Sequence, residues 1–307
     1  MGRYVARRLL LTIPVLLGAS FLIFSLVYAL PGDPIRALAG DRPLPPAVVA
    51  QLREDFNLND PFFIQYFKYL GDLLQGDLGT DFNRRPVVDT ISRTLPVTIK
   101  LTAVAIAFEI VIGIVAGVLA GVRRNSFFDN LVLVSTTLVV SIPILVLAFV
   151  AQYLFGLKFG LFPIAGTREG LYSYILPGLV LASGSLAYVA RLTRTSMAEN
   201  LRADYVRTAR AKGLPRRTVI VRHTLRNSLI PVITFIGADI GTLLGGAIVT
   251  ESVFNLPGIG REVFDSVRSQ EGAVVVGIVT LMVFFFIFFN LVVDVLYAVL
   301  DPRIRYD

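Results

Sequence analysis

Six apolar runs, at residues 9–30, 97–121, 131–155, 174–192, 229–249 and 273–300, decide most of what this chain can become. The hydrocarbon core of a bilayer, roughly 30 Å thick, is crossed by about 20 helical residues, and each run reaches that length. In lipid every backbone N–H and C=O needs an internal partner, which a single run can supply only as a helix. The expectation is an all-α integral membrane protein with six transmembrane helices and both termini on one side. A hydrophobic share of 55% agrees with this, since soluble domains carry less. The first run follows Arg3, Arg7 and Arg8 as a signal peptide would. Its length of about 22 residues exceeds the roughly 7–15 of a signal's apolar region, so it reads as an uncleaved span.

Basic residues set the orientation, because Arg and Lys accumulate on the cytoplasmic side of membrane proteins. From Arg191 to Arg226 there are ten of them against two acids, Glu199 and Asp204. Arg123 and Arg124 separate the second and third runs, and Arg303 and Arg305 follow the sixth. Both termini and the loop at 194–228 are therefore cytoplasmic. Counted with the N-terminal arginines, that side holds seventeen bases against five acids, a balance of +12, while the rest of the chain is net negative, so the positive excess behind the net charge of +7 is all cytoplasmic. The pI near 9.8 reflects topology, so nucleic acid is not an expected partner. The absence of Cys excludes disulfides, thiolate metal sites and cysteine nucleophiles.

Residues 204–231, DYVRTARAKGLPRRTVIVRHTLRNSLIP, form a polar, basic stretch between two apolar runs. Tyr205, Thr208, Ala209 and Lys212 recur at helical spacing. Gly213 suits the positive φ of a helix end, and Pro215 suits the first turn of a following helix. Two short helices joined at Gly213 are expected. The stretch resembles the cytoplasmic coupling loop of ATP-binding-cassette (ABC) importer permeases. The general form of that loop, Glu-Ala-Ala, three residues, Gly, nine residues, Ile-x-Leu-Pro, falls here on Arg207, Thr208, Ala209, Gly213, His223, Leu225 and Arg226. Only Ala209, Gly213 and Leu225 match it. The departures are those of the dipeptide and oligopeptide subgroup, similar to YVRTARAKGL followed by RHxLRN. LPGDP at 30–34, GDLG at 76–79 and GGAIVTESVFNLPGIG at 245–260 also resemble the B-type subunit of the peptide permeases, and the short N-terminus is unlike the C-type.

Between the first and second runs, some 60 residues are extracytoplasmic. Pro46 and Pro61 each suit a first helical turn, the latter after Asp60 as N-cap. Phe62, Phe63, Tyr66, Phe67, Leu70, Leu73 and Leu74 then form an aromatic face. A small helical cap on the membrane surface is expected, its face packing on the spans or headgroups or docking an outside protein. Within the spans, Glu109, Asp239 and Asp294 are costly unless paired, protonated or wetted. Each either bonds neighbouring helices or lines a path, as does Asn290, four residues from Asp294. Ser141-Ile142-Pro143 is expected to bend the third span. Gly178, Ala182, Ser183, Gly184 and Ser185 in the fourth and Gly237, Gly241 and Gly245 in the fifth permit close helix approach. A re-entrant or interfacial turn, or else a plain loop, is expected around Pro257, Gly258 and Gly260. Phe254, Leu256 and Ile259 are too apolar for free solvent, which makes Glu251, Phe254, Pro257 and Gly258 candidates for an outer gate.

No phosphate-binding loop exists in the sequence, and the single His223 cannot build a zinc or triad site. The chain is expected not to be an enzyme and to hold no cofactor. The resemblance implies a type I importer permease, organised as a first span (1–30), an extracytoplasmic helical segment (31–96) and a five-span core (97–307). It also implies a multi-pass place in a bacterial inner membrane and heterodimeric pairing with a C-type homologue. Two nucleotide-binding ATPase subunits would bind ATP and Mg, and an extracytoplasmic binding protein would supply di- or oligopeptides. Tyr205, Arg207, Thr208, Ala209, Arg210, Ala211, Lys212, Gly213, Leu214, Arg222 and His223 would receive the ATPase subunits, and alternating access would follow. Glutathione and nickel chelates are the alternative cargoes. An ion-coupled secondary carrier, with the buried acids as ion sites, and a non-transporting membrane scaffold are the alternative classes.

Overall fold

A computed structural model describes residues 2–28, 35, 45–55 and 57–300, without the side chains of 2–9, 55, 246 and 294–300. The motif at 30–34, the arginines at 303 and 305 and the side chain of Asp294 lie outside the described residues. The elements are α1 (Gly2–Tyr28), α2 (Pro46–Asp55), α3 (Phe62–Leu74), α4 (Val87–Val122), α5 (Phe127–Ser141), α6 (Ile144–Lys158), α7 (Ile175–Asn200), α8 (Asp204–Ala211), α9 (Arg226–Val253), α10 (Ile259–Arg268) and α11 (Gly272–Leu300). Five helices are long and apolar enough to cross a membrane, or six if α5 and α6 count as one broken span.

The expected bend is present, as a break between two helices. α5 and α6 meet at 105°. Ile142 before Pro143 is extended, at φ −94° and ψ 126°, the conformation that a following proline ring enforces. Pro14, Pro96 and Pro231 lie inside uninterrupted helices, so a proline by itself does not announce a break. Around 245–260, α9 stays helical to Val253 and Gly260 already belongs to α10, so the expected turn is confined to Phe254 through Gly258. Phe254, Leu256 and Ile259 are 1%, 0% and 1% exposed, so the chain itself covers them.

Several helices end alike. Gly76, Gly213, Asn255 and Gln270 take positive φ. After each, the next N–H reaches back five residues, as in Asp77 N to Asp72 O at 2.9 Å and Leu256 N to Glu251 O at 2.9 Å. This satisfies carbonyls that a helix end otherwise leaves open.

The chain forms two compact units, Met1–Thr98 with Pro257–Ile287 and Ile99–Leu256 with Phe288–Asp307. In the first, Val87 and Ile91 of α4 pack with Ile259 and Val263 of α10 and Val274 and Ile278 of α11. This is why α4 begins ten residues before the apolar run at 97: its polar first turns carry an apolar stripe into that core. Thr98 Oγ1 accepts the Ile259 N–H at 2.9 Å, at the start of α10. α3 lies on α1 through Phe62, Tyr66 and Tyr69 against Phe21 and Phe24. Pro61 caps α3, while Asp60 instead pairs with Lys68 at 2.5 Å, a correction to the expected N-cap.

The second unit is built on a close approach of α4 to α7. Gly113, Gly117 and Gly121 form a stripe at intervals of four. A Cβ on Gly117 would come within 2.5 Å of both the Ala190 carbonyl oxygen and Thr193 Cβ. Only a small-residue stripe lets backbones meet this closely. This one escapes a reading fixed on the fifth span, where Gly237 instead accommodates Val293 of α11.

Candidate functional site

The expected coupling stretch folds as two helical pieces joined at Gly213. α8 spans Asp204–Ala211, and the second piece runs from Arg216–Thr218 through a π-helical segment, Val219–Leu225, into α9. Val206 and Ala209 turn inward onto Val219, so the opposite side of α8 is displayed. Tyr205, Arg207, Thr208, Arg210, Ala211, Lys212, Gly213, Leu214 and Arg222 are exposed, whereas Ala209 is buried and His223 half-buried. Gly213 has φ 75°. Its N–H bonds Arg210 O at 2.9 Å and the Leu214 N–H bonds Ala209 O at 3.3 Å, closing the helix.

The element is tied down at both ends. The Tyr205 hydroxyl donates to Asn200 Oδ1 at the end of α7. Ser228 of α9 donates to the Ser196 carbonyl oxygen of α7 at 3.2 Å. The exposed Arg207–Asp204 pair at 3.4 Å adds little. Helix geometry thus presents a rigid, cationic face.

A buried ion pair below this element was missed in the sequence. Asp129 is 1% exposed. It takes Arg194 Nε on Oδ1 and Arg194 Nη2 on Oδ2 at 2.8 Å, and Oδ2 also accepts the Asn125 N–H at 2.8 Å. Ser126 caps α5 by accepting the Asp129 N–H at 3.4 Å. Ser-Phe-Phe-Asp at 126–129 is a capping-box pattern that could have flagged the site.

The candidate pathway residues fall in separate places. Glu109 opens a π-helical turn in α4, Glu109–Gly113, a distortion that often accompanies a functional residue. Its carboxyl is 0% exposed, faces that of Asp239 on α9, and takes no hydrogen bond from a donor among the described residues. Ser185 of α7 lies beside Asp239. Asn290 is half-buried.

Near the α9 exit, the loop after α6 clasps the chain. Gly166 N donates to Phe254 O at 2.9 Å, and Gln152 Nε2 donates to Val253 O at 3.2 Å and Ile164 O at 2.8 Å. Glu251 is fully buried beside Tyr174, and Pro257 is exposed and Gly258 buried. On α10, burial and the neighbouring Asp265 and Glu271 carboxylates push the Glu262 carboxyl above the usual range, against the opposing effect of Arg261 and Arg93.

Comparison with known proteins gives concordant matches. Residues 113–306 match the family described as binding-protein-dependent transport system inner membrane component. Residues 1–102 match the N-terminal region of such membrane components. The dipeptide transport system permease protein DppB of Alkalihalophilus pseudofirmus is 39% identical over the full length of both chains. The glutathione transport system permease protein GsiC of Salmonella typhimurium is 42% identical, again over the whole of both. Among solved structures, the inward-facing MetNI methionine ABC transporter aligns with a TM-score of 0.58 at 18% identity, over 69% of this chain and 96% of that one. An amino acid ABC transporter aligns at 0.54 and 16%, over 68% and 94%. Both establish the permease fold. Permeases of this kind work with another permease, ATPase subunits that handle ATP, and a binding protein. The ion-coupled carrier and scaffold readings give way to these matches. The chain belongs to the binding-protein-dependent transport system inner membrane component family, as a non-catalytic, multi-pass permease subunit of an ABC importer.

Proposed function

We propose that this permease carries short peptides into the cytoplasm as one half of a heterodimer with a C-type homologue. Two nucleotide-binding subunits bind ATP and Mg against the cytoplasmic face, and an extracytoplasmic binding protein delivers the cargo. The observation that carries the substrate class is full-length relatedness both to a dipeptide permease and to glutathione permeases, whose cargoes are both small zwitterionic peptides. Reconstituting the four components with binding protein loaded with dipeptide, glutathione or a nickel chelate tests this. Dipeptide is expected to stimulate ATP hydrolysis and accumulate in the vesicles. Stimulation by glutathione alone would replace the dipeptide reading, and stimulation by the chelate alone would remove the peptide class.

Coupling is placed on Tyr205, Arg207, Thr208, Ala209, Arg210, Ala211, Lys212, Gly213, Leu214, Arg222 and His223. The support is the outward face of α8 and its cationic side chains, which suit an acidic groove on an ATPase subunit. The outer gate is placed at Glu251, Phe254, Pro257 and Gly258, supported by the break in helix there and by the few hydrogen bonds from Gly166 and Gln152 that hold the α9 exit. The division at residues 30 and 96 is proposed as functional: a first span, an outward cap, and a core that moves the cargo.

Glu109, Asp239, Asn290 and Asp294 are the candidate pathway groups within the spans. The burial of Glu109 and Asp239, 0% and 7% exposed, supports a packing role for those two. An amide keeps size and hydrogen bonding and removes the ionisable group, so Glu109→Gln is expected to keep ATP-driven transport within about twofold, a change of under 1 kcal/mol. Its thermal stability should equal or exceed that of the parent, since a buried carboxyl without a donor is costly. Transport lost despite normal assembly and ATP turnover would return these acids to the pathway.

A further inference from the structure

We propose that α3 is an in-plane interfacial helix whose Phe63, Phe67 and Leu74 are immersed in the acyl chains of the outer leaflet. Two tyrosine hydroxyls, of Tyr66 and Tyr69, act as depth gauges for it. Tyr66 donates to the Leu17 carbonyl oxygen at 3.1 Å and lies 3.1 Å from Ser20 Oγ. Leu17 is eleven residues inside the outer end of α1 at Tyr28, about 16 Å along the helix at 1.5 Å per residue. Tyr69 donates to Thr280 Oγ1 at 2.8 Å. Thr280 is eight residues inside the outer end of α11 at Gly272, about 12 Å by the same rise. Both spans run through the bilayer, so tyrosines from one side of α3 reach well below the membrane surface at two places.

The angular order of residues around α3 fits that depth. At about 100° per residue, three sectors separate. Phe62, Tyr66, Tyr69 and Leu73 point one way, and the three aromatics among them pack against α1. Gln65, Lys68 and Asp72 form a polar stripe about 90° to one side. Phe63, Phe67 and Leu74, which are 63%, 67% and 88% exposed, lie about 100° to the other side, roughly opposite the polar stripe. Lys68 is held on the polar side by Asp60 at 2.5 Å and Asn57 at 2.8 Å. With the polar stripe toward water and the packed sector sideways against the spans, the exposed strip can only point toward the membrane interior. On α1, the span that α3 packs against, Leu22 and Leu26 are likewise 62% and 68% exposed. The helix is therefore sunk in the outer leaflet, below the surface position expected from sequence, and the occupant of its strip is lipid.

The chain has neither Cys nor Trp, which makes the test direct. Single cysteines replacing Phe63, Phe67, Lys68 and Asp72 would carry nitroxide labels in the assembled importer in lipid bilayers, with the signal of the unsubstituted complex subtracted. Relaxation by oxygen, which partitions into acyl chains, is expected to dominate at 63 and 67. Relaxation by a water-soluble nickel chelate is expected to dominate at 68 and 72. Protection from both reagents at 63 and 67 would mean a protein partner covers the strip, and nickel dominance there would mean water does. Either result overturns the proposal. Because a labelled cysteine at 67 removes an aromatic, Phe67→Trp provides a second reading. Its fluorescence should be quenched several-fold more by lipids brominated along the acyl chain than by aqueous acrylamide, and the reverse order would reject immersion.

Discussion

Gly213→Val is expected to lower the substrate-stimulated ATPase of the assembled importer by roughly 5–30-fold, the consequence of about 1–2 kcal/mol placed on one conformation. The permease itself should remain in the membrane in normal amount. Gly213 sits at φ 75°, where a β-branched side chain opposes the backbone. No heavy atom lies within 4 Å of a built Cβ at this position, so the penalty is conformational and not steric. That distinction supplies the control. Asn tolerates the left-handed region, so Gly213→Asn should keep most of the stimulation. The two backbone bonds that close α8, from Gly213 N and Leu214 N, depend on this conformation, and with them the direction in which Arg210 and Lys212 project. Unchanged stimulation in Gly213→Val would remove the coupling role from this element. Equal loss in Asn and Val variants would remove the backbone explanation and leave the missing side chain itself as the cause.

The sequence carried the membrane class, the apolar spans and the helix pair joined at Gly213 for one reason: each rests on a local signal. Apolar length reports a span, arginine bias reports a side, and Gly213 followed by Pro215 reports a helix end. What escaped depends on contacts between distant residues. Pro143 looked like Pro14, Pro96 and Pro231, yet it alone among these four breaks its helix, with Ile142 before it extended. The early start of α4 escaped because polar turns at 87–96 dilute an apolar stripe that only α10 and α11 make meaningful. The glycine stripe at 113, 117 and 121 was present in the sequence, but four-residue glycine spacing does not say which helix it will meet. The aromatic face of α3 was legible as a face and not as two. Its packed and exposed halves differ only in where α1 and α11 stand.

The same lesson applies to Asp129, whose substitution by alanine is expected to be the most destabilising single change considered. The sequence placed Asp129 and Arg194 on the cytoplasmic side as charges of opposite sign, sixty-five residues apart. The structure buries them together. Asp129 holds both nitrogens of the Arg194 fork and the Asn125 N–H at once. Removing the carboxylate therefore strands a cation whose side chain is only 18% exposed and takes the acceptor from the Asn125 N–H. Loss of one partner from a buried pair costs about 3–5 kcal/mol. For a chain of this size that corresponds to a fall in Tm of roughly 10 °C, measurable on the purified permease in lipid. Replacing both partners by apolar residues of similar shape, Asp129→Leu with Arg194→Met, should recover much of the loss, because the penalty lies in the unpaired charge more than in the pair itself. The position of the pair adds a functional consequence. Arg194 lies in the last two turns of α7, which leads directly into α8, so the pair holds the base of the element proposed for coupling. In the alanine variant, stimulation of ATPase should fall along with stability. In the double apolar variant stability should return, and the ATPase then separates two roles: recovered stimulation marks the pair as structural support alone, while persistent loss marks its rigidity as part of transmission. A Tm within about 2 °C of the parent in Asp129→Ala, equivalent to under 1 kcal/mol, would show that the pair bears no such load.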